Sequence, residues 1–434
     1  MHPRSAAPRR RVLAVALAAV AMVAGACSAG GDGKPKNDPH AELLIWTDAT
    51  REPGFEKFKQ AHPEVRMKIE TYEGGALLTK IQLFNRTGKG WPDVIFDGQP
   101  NNVAALSSKL FDYTQPLDDL LPAEVKTGYG TANATCVIEG KTVCLKNDLA
   151  QTVLWYDKVL MDEFGYQVPT TWTEYAELGR RVAAEHPGYI IGTAGSEFVL
   201  YDYFQSSGCP LQSVTGPQQV HIDTKDPKCT RVTAVLDPLI KSGVVSRGGP
   251  FDPDTNKLGQ QKKILMMPGA SWYGDYVFKP ASSFATPKGH LAASPYPKWD
   301  GESENYSGAA GGGIYMVSRH SANVRQAAAI AQWMATDLGY QATAPTYPAY
   351  GPAAKAWGEA KAKDDYYAVD PFPVMRQQAA LISPTVVPVA FDVPQTVTNT
   401  AAASVRNGGT LQDGMAGLQS QLSSLAQSVG FAVS

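Results

Sequence analysis

The sequence of 434 residues lacks the short motifs that mark several large classes of enzyme. It contains no GxSxG nucleophile elbow, no HExxH zinc motif and no Walker phosphate loop, since the Gly311-Gly312-Gly313 run has no Lys-Ser/Thr pair after it. The formal net charge is only −2, so the charge balance does not favour nucleic acid or an anionic lipid surface as a partner. The sequence therefore predicts neither an enzyme nor a nucleic-acid-binding protein.

Long apolar runs and metal-binding patterns are also absent. Beyond residue 26, no apolar run approaches the roughly 20 residues of a membrane-spanning helix. No CxxC pair occurs, and the seven histidines are scattered. The run Asp252-x-Asp254-x-Asn256 lacks the Gly and Glu that a calcium loop requires. We therefore expect no metal site and no cofactor.

Residues 1–26 have the order of a secretory signal, in which arginines precede an apolar stretch from Val12 to Val23. An Ala-Gly-Ala run then leads to Cys27, and this pattern resembles the lipobox of bacterial lipoproteins. The resemblance implies cleavage before Cys27 and a lipid on its thiol, which anchors the protein in the membrane. An ordinary secretory signal with an incidental cysteine is the alternative. Residues 27–40 have no large apolar side chain that could order them, so we expect a flexible tether.

The four remaining cysteines predict disulfides, because an even number in an exported chain is typical of bridges. Three connectivities are possible, and proximity in sequence favours Cys136–Cys144 and Cys209–Cys229. A hairpin with a three-residue loop at 139–141 would place Cys136 directly opposite Cys144. Zinc binding is the rival interpretation, which the absence of CxxC disfavours.

Alternating strand and helix patterns predict an α/β fold with a doubly wound parallel sheet. Strands are expected at 43–46, 65–69 and 93–96, separated by helices at 54–61 and 76–86. Thr171 and Glu174 form the pattern of a capping box, and Trp172 beside it is assigned to the core. A later helix is expected from Ser321 to Leu338, with Gly339 as its cap. A chain of this length also suggests two lobes.

Several segments follow one another in a familiar order over most of residues 41–425. They are LLIWTD, FKQAHPEVRMKIE, GWPDVIFDG, EGKTVCLKND, VLWYDKVLMDEFGYQVPTTWTEYAEL, KKILMMPGASWYGDY and GAAGGGIYMVSRHSANVRQAAAIAQWMA. This ordered set resembles the family 1 extracellular solute-binding proteins of the maltose-binding type.

The resemblance implies a two-lobed periplasmic-binding-protein fold of type II, each lobe a doubly wound sheet flanked by helices. The first lobe would hold residues 41–148 and about 290–320, and the second 149–289 and about 321–434. The resemblance implies a monomer that binds a carbohydrate, specifically an oligosaccharide, between its lobes. It then delivers the solute to the permease subunits of an ABC importer in the membrane.

The resemblance also implies a set of ligand-binding residues. Trp272 and Tyr273 occupy the place of an aromatic platform, against which a sugar ring would pack. Trp46 and Asp48 end the first strand, where doubly wound sheets open onto their ligands. The other candidates follow later strands or lie in loops that match the family: Asp97, Gln99, Asn147, Asp148, Glu197, Phe198, Phe391 and Asp392. Gly312 is a candidate for a different reason, since the glycine run permits close backbone approach to a ligand or to a neighbouring strand.

Two alternatives to a sugar receptor remain open from the sequence. A secreted carbohydrate-active enzyme would use a pair of carboxylates, which no motif here indicates. A receptor of the same fold for a non-sugar solute, such as a polyol or a phosphodiester, has no distinguishing sequence feature.

Overall fold

The computed structural model describes residues 37–309 and 311–434, apart from the side chain of Glu197. The predicted signal and Cys27 therefore lie outside the described residues, as does most of the predicted tether. The last part of that tether is attached to the folded body. Asn37 forms a β-bridge with Asn323, and the Asp38 N–H donates to the Ala322 carbonyl at 2.9 Å.

The first sheet has five strands, in the order Met67–Thr71, Leu43–Thr47, Val94–Asp97, Ile314–Val317 and Cys144–Lys146. The first three are parallel, as the strand–helix–strand pattern predicts. Ile314–Val317 runs antiparallel to both of its neighbours, so the sheet is mixed rather than wholly parallel. The strand Val94–Asp97 is buried throughout, which explains its continuous apolar sequence.

The second sheet has three strands, with Thr152–Asp157 in the centre and Met266–Ala270 and Leu291–Ser294 on either side. Both outer strands are antiparallel to the central one, a departure from the parallel arrangement expected in each lobe. The shorter strands are Gly192–Thr193 with Val245–Ser246, Val137–Ile138 with Lys141–Thr142, and Ser213–Gly216, Gln219–His221 and Ala432–Val433.

Helices pack on both sheets, and none in the described part of the chain is long and apolar enough to cross a membrane. The predicted capping box is confirmed: Thr171 accepts from the Glu174 N–H at 3.1 Å, and Glu174 accepts from the Thr171 N–H. The α-helices are Glu52–Ala61, Leu77–Thr87, Asn102–Ser107, Ala123–Tyr129, Lys158–Glu163, Trp172–Glu185, Glu197–Ser207, Pro227–Ser242, Pro253–Gln260, Val324–Thr336, Leu338–Gln341, Gly351–Lys361, Phe372–Ala379, Val393–Val397, Ala403–Arg406 and Leu411–Ser428. Gly74–Ala76 and Gly130–Cys136 are 3₁₀ helices, and Gly274–Phe278 and Thr398–Ala402 are π-helical turns.

The buried apolar side chains form a cluster that continues from one sheet to the other. It includes Phe96 and Tyr315 from the first sheet and Trp155 and Met267 from the second. Trp172 lies in a separate cluster behind the second sheet and is 1% exposed, as expected for a core residue. One continuous apolar cluster therefore joins the two sheets.

Both predicted disulfides are present, with Cα atoms 5.0 Å apart for Cys136–Cys144 and 4.6 Å apart for Cys209–Cys229. The hairpin register differs from the prediction. Val137 pairs with Thr142, so the loop has two residues, Glu139 and Gly140, both with positive φ. Such a loop fits the strand twist, and it sets Cys136 opposite residue 143 rather than Cys144.

The sheet pairings also differ from the expected division of the chain into lobes. Leu291–Ser294 pairs with Thr152–Asp157 in the second sheet, although the first lobe was expected to include it. The helix Val324–Thr336 packs on Ile314–Val317 and on Val94–Asp97, which places it with the first sheet. The reason is local: the chain passes directly from one strand of the first sheet into the helix that covers it.

Candidate functional site

A cavity of about 190 Å³ lies where the ends of the first-sheet strands meet loops that follow the second sheet. The carboxyl ends of parallel strands are where such sheets open onto their ligands. The first sheet and its loops provide one side of the wall, and Phe198, Trp272 and Tyr276 provide the other. The full lining is Arg51, Phe96, Gly98, Asp148, Phe198, Trp272, Tyr276, Gly311, Gly312, Gly313 and Thr346.

Aromatic rings form one wall of this cavity. The Trp272 indole lies parallel to the Phe251 ring, with centroids 6.0 Å apart and planes 7° apart. Phe198 and Tyr276 meet it edge-on, at 6.0 Å and 6.2 Å. Trp272 follows the strand Met266–Ala270, and the chain then turns so that the Tyr276 N–H donates to the Trp272 carbonyl. One turn of helix therefore brings both rings to the same wall.

Arg51 provides the positive charge of the opposite wall. Its guanidinium lies 3.2 Å from an Asp48 oxygen and 3.6 Å from an Asp148 oxygen, and it stacks over the Phe96 ring at 4.5 Å. Burial would lower the pKa of Arg51, but the carboxylates of Asp148 and Asp48 raise it above its ordinary value. Arg51 is therefore a fixed cation, held between two acids and an aromatic ring.

Asp148 connects this cation to the backbone of the glycine run. Its Oδ1 accepts from the Gly313 N–H at 2.9 Å and from the Asn147 amide at 2.8 Å. Gly312 has φ +81°, and a Cβ at that position would lie 2.6 Å from the Asp148 carbonyl oxygen. Only glycine permits both the backbone conformation and the close approach.

Four of the sequence-predicted residues line the cavity: Asp148, Phe198, Trp272 and Gly312. Asp48 and Asn147 lie next to the cavity. Asp48 forms an ion pair with Arg51, and the Asn147 amide donates to Asp148. Gln99 lines a neighbouring cavity of about 20 Å³, which shares Phe198 and Gly311 with the larger one. Glu197 begins the helix Glu197–Ser207, and its side chain lies outside the described part of the structure.

Two predicted residues of the first sheet are not among the residues that line the cavity. The Trp46 ring is 5% exposed, stacks on Tyr72 at 5.3 Å and donates to Glu70 at 3.2 Å. Asp97 is fully buried and accepts from the Gln99 N–H and the Asn102 amide, both at 2.9 Å. Burial raises the pKa of Asp97 to about 6, although these two bonds act in the opposite direction.

Three further predicted residues do not line the cavity and instead contribute to packing or to a helix cap. Tyr273 is fully buried in the cluster between the sheets, because consecutive residues of the turn point to different sides. Phe391 is 5% exposed and packs edge-on against Phe431 at 5.8 Å. Asp392 caps the helix Val393–Val397 by accepting from the Gln395 N–H at 2.9 Å.

The sequence did not predict the lining side chains of Arg51, Phe96, Tyr276 and Thr346. Arg51 carried a usable signal, since a cation three residues after Asp48 lies in the loop that ends the first strand. Tyr276 could have been found from its spacing of four residues from Trp272, one helical turn. No feature of the sequence around Thr346 indicated a binding site. The folded chain brings Thr346 to the cavity, where the Arg51 guanidinium lies 3.5 Å from its hydroxyl.

No group of three or more His, Cys, Asp or Glu side chains within residues 37–309 and 311–434 is arranged to hold a metal ion. The cavity instead combines flat aromatic faces with a fixed cation, the Asp148 carboxylate and glycine backbone. Such a lining suits a small solute with both apolar faces and several polar groups.

Comparison with known proteins decides the family. The sequence model of the family described as bacterial extracellular solute-binding protein matches residues 45–341. The chain belongs to this family. Its members are receptors rather than enzymes, which sets aside the enzyme alternative. A curated relative is the diacetylchitobiose binding protein NgcE of Streptomyces coelicolor, 23% identical over 199 residues. That match spans 42% of this chain and 41% of the relative, so it covers about two fifths of each protein.

Solved structures show the fold of this solute-binding protein. The galacto-N-biose-/lacto-N-biose I-binding protein of Bifidobacterium longum matches with a TM-score of 0.78 at 16% identity, covering 92% of this chain and 100% of that chain. MalE from Xanthomonas citri gives 0.72 at 14% identity, with 90% and 98% covered. The GacH receptor of Streptomyces glaucescens gives 0.70 at 18% identity, with 89% and 98% covered. The chain therefore has the α/β periplasmic-binding-protein fold.

Proposed function

We propose that this solute-binding protein is the extracytoplasmic receptor of an ABC importer and binds a carbohydrate in the cavity walled by Trp272. The observation that carries the proposal is the pairing of that aromatic wall with the wall of Arg51, Asp148 and glycine backbone.

The aromatic wall matches the apolar side of a sugar. A pyranose presents a flat C–H face, and covering part of an indole with such a face contributes about 1–2 kcal/mol. Trp272 is positioned by contacts with Phe251, Phe198 and Tyr276, so little conformational entropy is lost when a ring packs on it.

The polar wall matches the hydroxyl groups of a sugar. Asp48 accepts from Arg51 yet keeps 40% of its side chain exposed, so it has capacity for a hydroxyl donor. The Arg51 guanidinium supplies planar N–H donors for hydroxyl oxygens. Fixed donors and acceptors on one side and aromatic rings on the other would orient a sugar within the cavity.

The names of similar proteins support a carbohydrate as the solute. The relatives named above bind diacetylchitobiose, lacto-N-biose and acarbose according to their descriptions. They differ in the saccharide, so they do not favour one sugar for this chain.

We further propose two lobes that close on the solute. The first is built on the first sheet and extends to residue 148, with Ile314–Val317 and Val324–Thr336 added to it. The second is built on the strand Thr152–Asp157 and its two partners. Cys27 would carry a lipid that keeps this receptor beside its permease at the outer face of the cell membrane.

A thermal-shift panel tests the carbohydrate proposal. Mono- and oligosaccharides would be compared with polyols and a phosphodiester at equal concentrations, and bound material would be recovered and analysed. We expect at least one saccharide to raise the melting temperature and to be recovered intact. A shift with a polyol or a phosphodiester, and with no saccharide, would instead identify a receptor for a non-sugar solute.

A further inference from the structure

Lys146 is a buried cation that the proposed sugar contacts do not use. It ends the edge strand Cys144–Lys146 of the first sheet and is 4% exposed. Its backbone is fixed, because its N–H donates to Asn133 at 2.8 Å and its carbonyl accepts from the Tyr129 hydroxyl at 2.9 Å. No side chain in the described part of the chain makes a hydrogen bond or an ion pair with its ammonium group.

Asp148 acts on this ammonium electrostatically but forms no ion pair with it. Asp148 directs Oδ1 to the Gly313 N–H, the Asn147 amide and the Arg51 guanidinium. Burial lowers the pKa of Lys146 to about 8 and Asp148 opposes that shift, so the amine remains mostly protonated at neutral pH. A buried cation without a bound partner is unfavourable, and this one has space beside it for a partner.

That space is a cavity of about 460 Å³, larger than the one at Trp272. Among the described residues that line it, Lys146 is the only charged one, and the others include apolar groups such as Leu149 and Val387 and hydroxyls such as Thr135 and Ser383. Lys146 is also the only charged residue within the described lining of a narrow cavity of about 20 Å³. A solute group entering either cavity would therefore meet one positive charge and no carboxylate.

Shared residues connect this space with the cavity at Trp272. The narrow cavity beside Lys146 shares Asn101 and Ala309 with the cavity that contains Gln99, which in turn shares Phe198 and Gly311 with the Trp272 cavity. Lys146 also lies directly behind the glycine run, since a Cβ on Gly312 would be 3.2 Å from its Cε. Because both linking cavities hold only about 20 Å³, a solute packed on Trp272 would approach Lys146 with a small substituent rather than with a whole sugar ring.

We propose that Lys146 binds a negatively charged substituent of the solute whose apolar face packs on Trp272, so that the receptor selects an acidic sugar. The inference rests on the proposed carbohydrate function and narrows its substrate class. A carboxylate, a phosphate ester and a sulfate ester share the chemistry that Lys146 would recognise, namely anionic oxygen in a site with no other charge.

Calorimetric titration with matched sugars tests this inference. The probes are glucose with glucuronate, galactose with galacturonate, cellobiose with its uronate, and glucose 6-phosphate and 6-sulfate. We expect an acidic member to bind about tenfold to a hundredfold more tightly than its neutral partner, as a charge-assisted hydrogen bond allows. Whether the uronate, phosphate or sulfate binds most tightly identifies the anionic group.

Lys146→Met should abolish this preference, and Lys146→Arg should retain part of it. Lys109→Met is the matched control, because Lys109 is exposed and its replacement should leave the preference intact. Melting curves show whether each variant is folded, and replacing an unpaired buried amine with Met should not lower stability. Neutral and acidic sugars that bind equally to the wild type, or a preference that survives in Lys146→Met, would overturn the inference while leaving the carbohydrate proposal in place. Failure of every sugar to bind would overturn both.

Discussion

At the scale of single residues, Arg51 and Asp148 form the polar core of the site. Asp148 is 3% exposed, so removing the guanidinium that lies 3.6 Å away would leave a buried carboxylate with fewer partners. Breaking such a buried pair commonly costs about 3–5 kcal/mol. The pair is therefore a stability requirement as well as a proposed solute contact, and its replacement alone would not separate the two roles.

Asp97 offers a residue-scale prediction about pH. Its pKa of about 6 in the folded protein lies above the ordinary 3.8, so folding favours the protonated form. Its contribution to the free energy of unfolding is fully present below about pH 4 and is lost as the pH rises through 6, by up to about 3 kcal/mol. Asp97→Asn should remove this part of the pH dependence.

Urea unfolding of the apo protein between pH 4 and pH 7 measures how the free energy of unfolding depends on the protonation of Asp97. Asp119→Asn is the control, because Asp119 is exposed and its replacement should leave the profile unchanged. Identical pH profiles for the wild type and Asp97→Asn would contradict the proposed burial of an ionisable Asp97.

At the scale of elements, the sequence predicted those strands and helix ends that depend on a few neighbouring residues. The strand Leu43–Thr47 followed from its apolar run, and the start of Trp172–Glu185 from its capping box. The end of the helix Val324–Thr336 was predicted wrongly at Gly339. Asp337 ends that helix and accepts from the Tyr340 N–H at 2.7 Å, which starts the next helix, Leu338–Gln341. A side-chain cap therefore decided the boundary before the glycine.

Only part of the site could be predicted, because local sequence decides the position of some of its residues and tertiary structure decides the others. Asp148 and Trp272 were found because they follow strands that end at the cavity. Tyr273 was predicted beside Trp272, but a turn of helix directs residue 276 rather than 273 to the same wall. Thr346 comes from a loop about 300 residues away in sequence from Arg51, and its hydroxyl lies beside Arg51 only in the folded chain. Such pairs depend on tertiary structure that a single sequence does not contain.

At the scale of the whole molecule, the location of the protein depends on Cys27, which lies outside the described residues. We expect Cys27→Ala to release the protein into the medium or to leave it unprocessed, because no acyl chain would then hold it. Fractionation of expressing cells with immunoblotting measures the distribution. Cys27→Ala that remains as firmly membrane-bound as the wild type would contradict the lipid anchor.

The central claim is that the cavity walled by Trp272 binds a carbohydrate, and calorimetry on two tryptophan variants tests it most directly. With the best saccharide of the panel, Trp272→Ala should weaken binding about tenfold or more, while the apo melting temperature changes little. Trp172→Ala, at a tryptophan that is 1% exposed, should instead lower stability by about 3–5 kcal/mol and leave the affinity per folded molecule unchanged. Strong destabilisation with undiminished affinity in Trp272→Ala would contradict the account and move Trp272 from the binding site to the core.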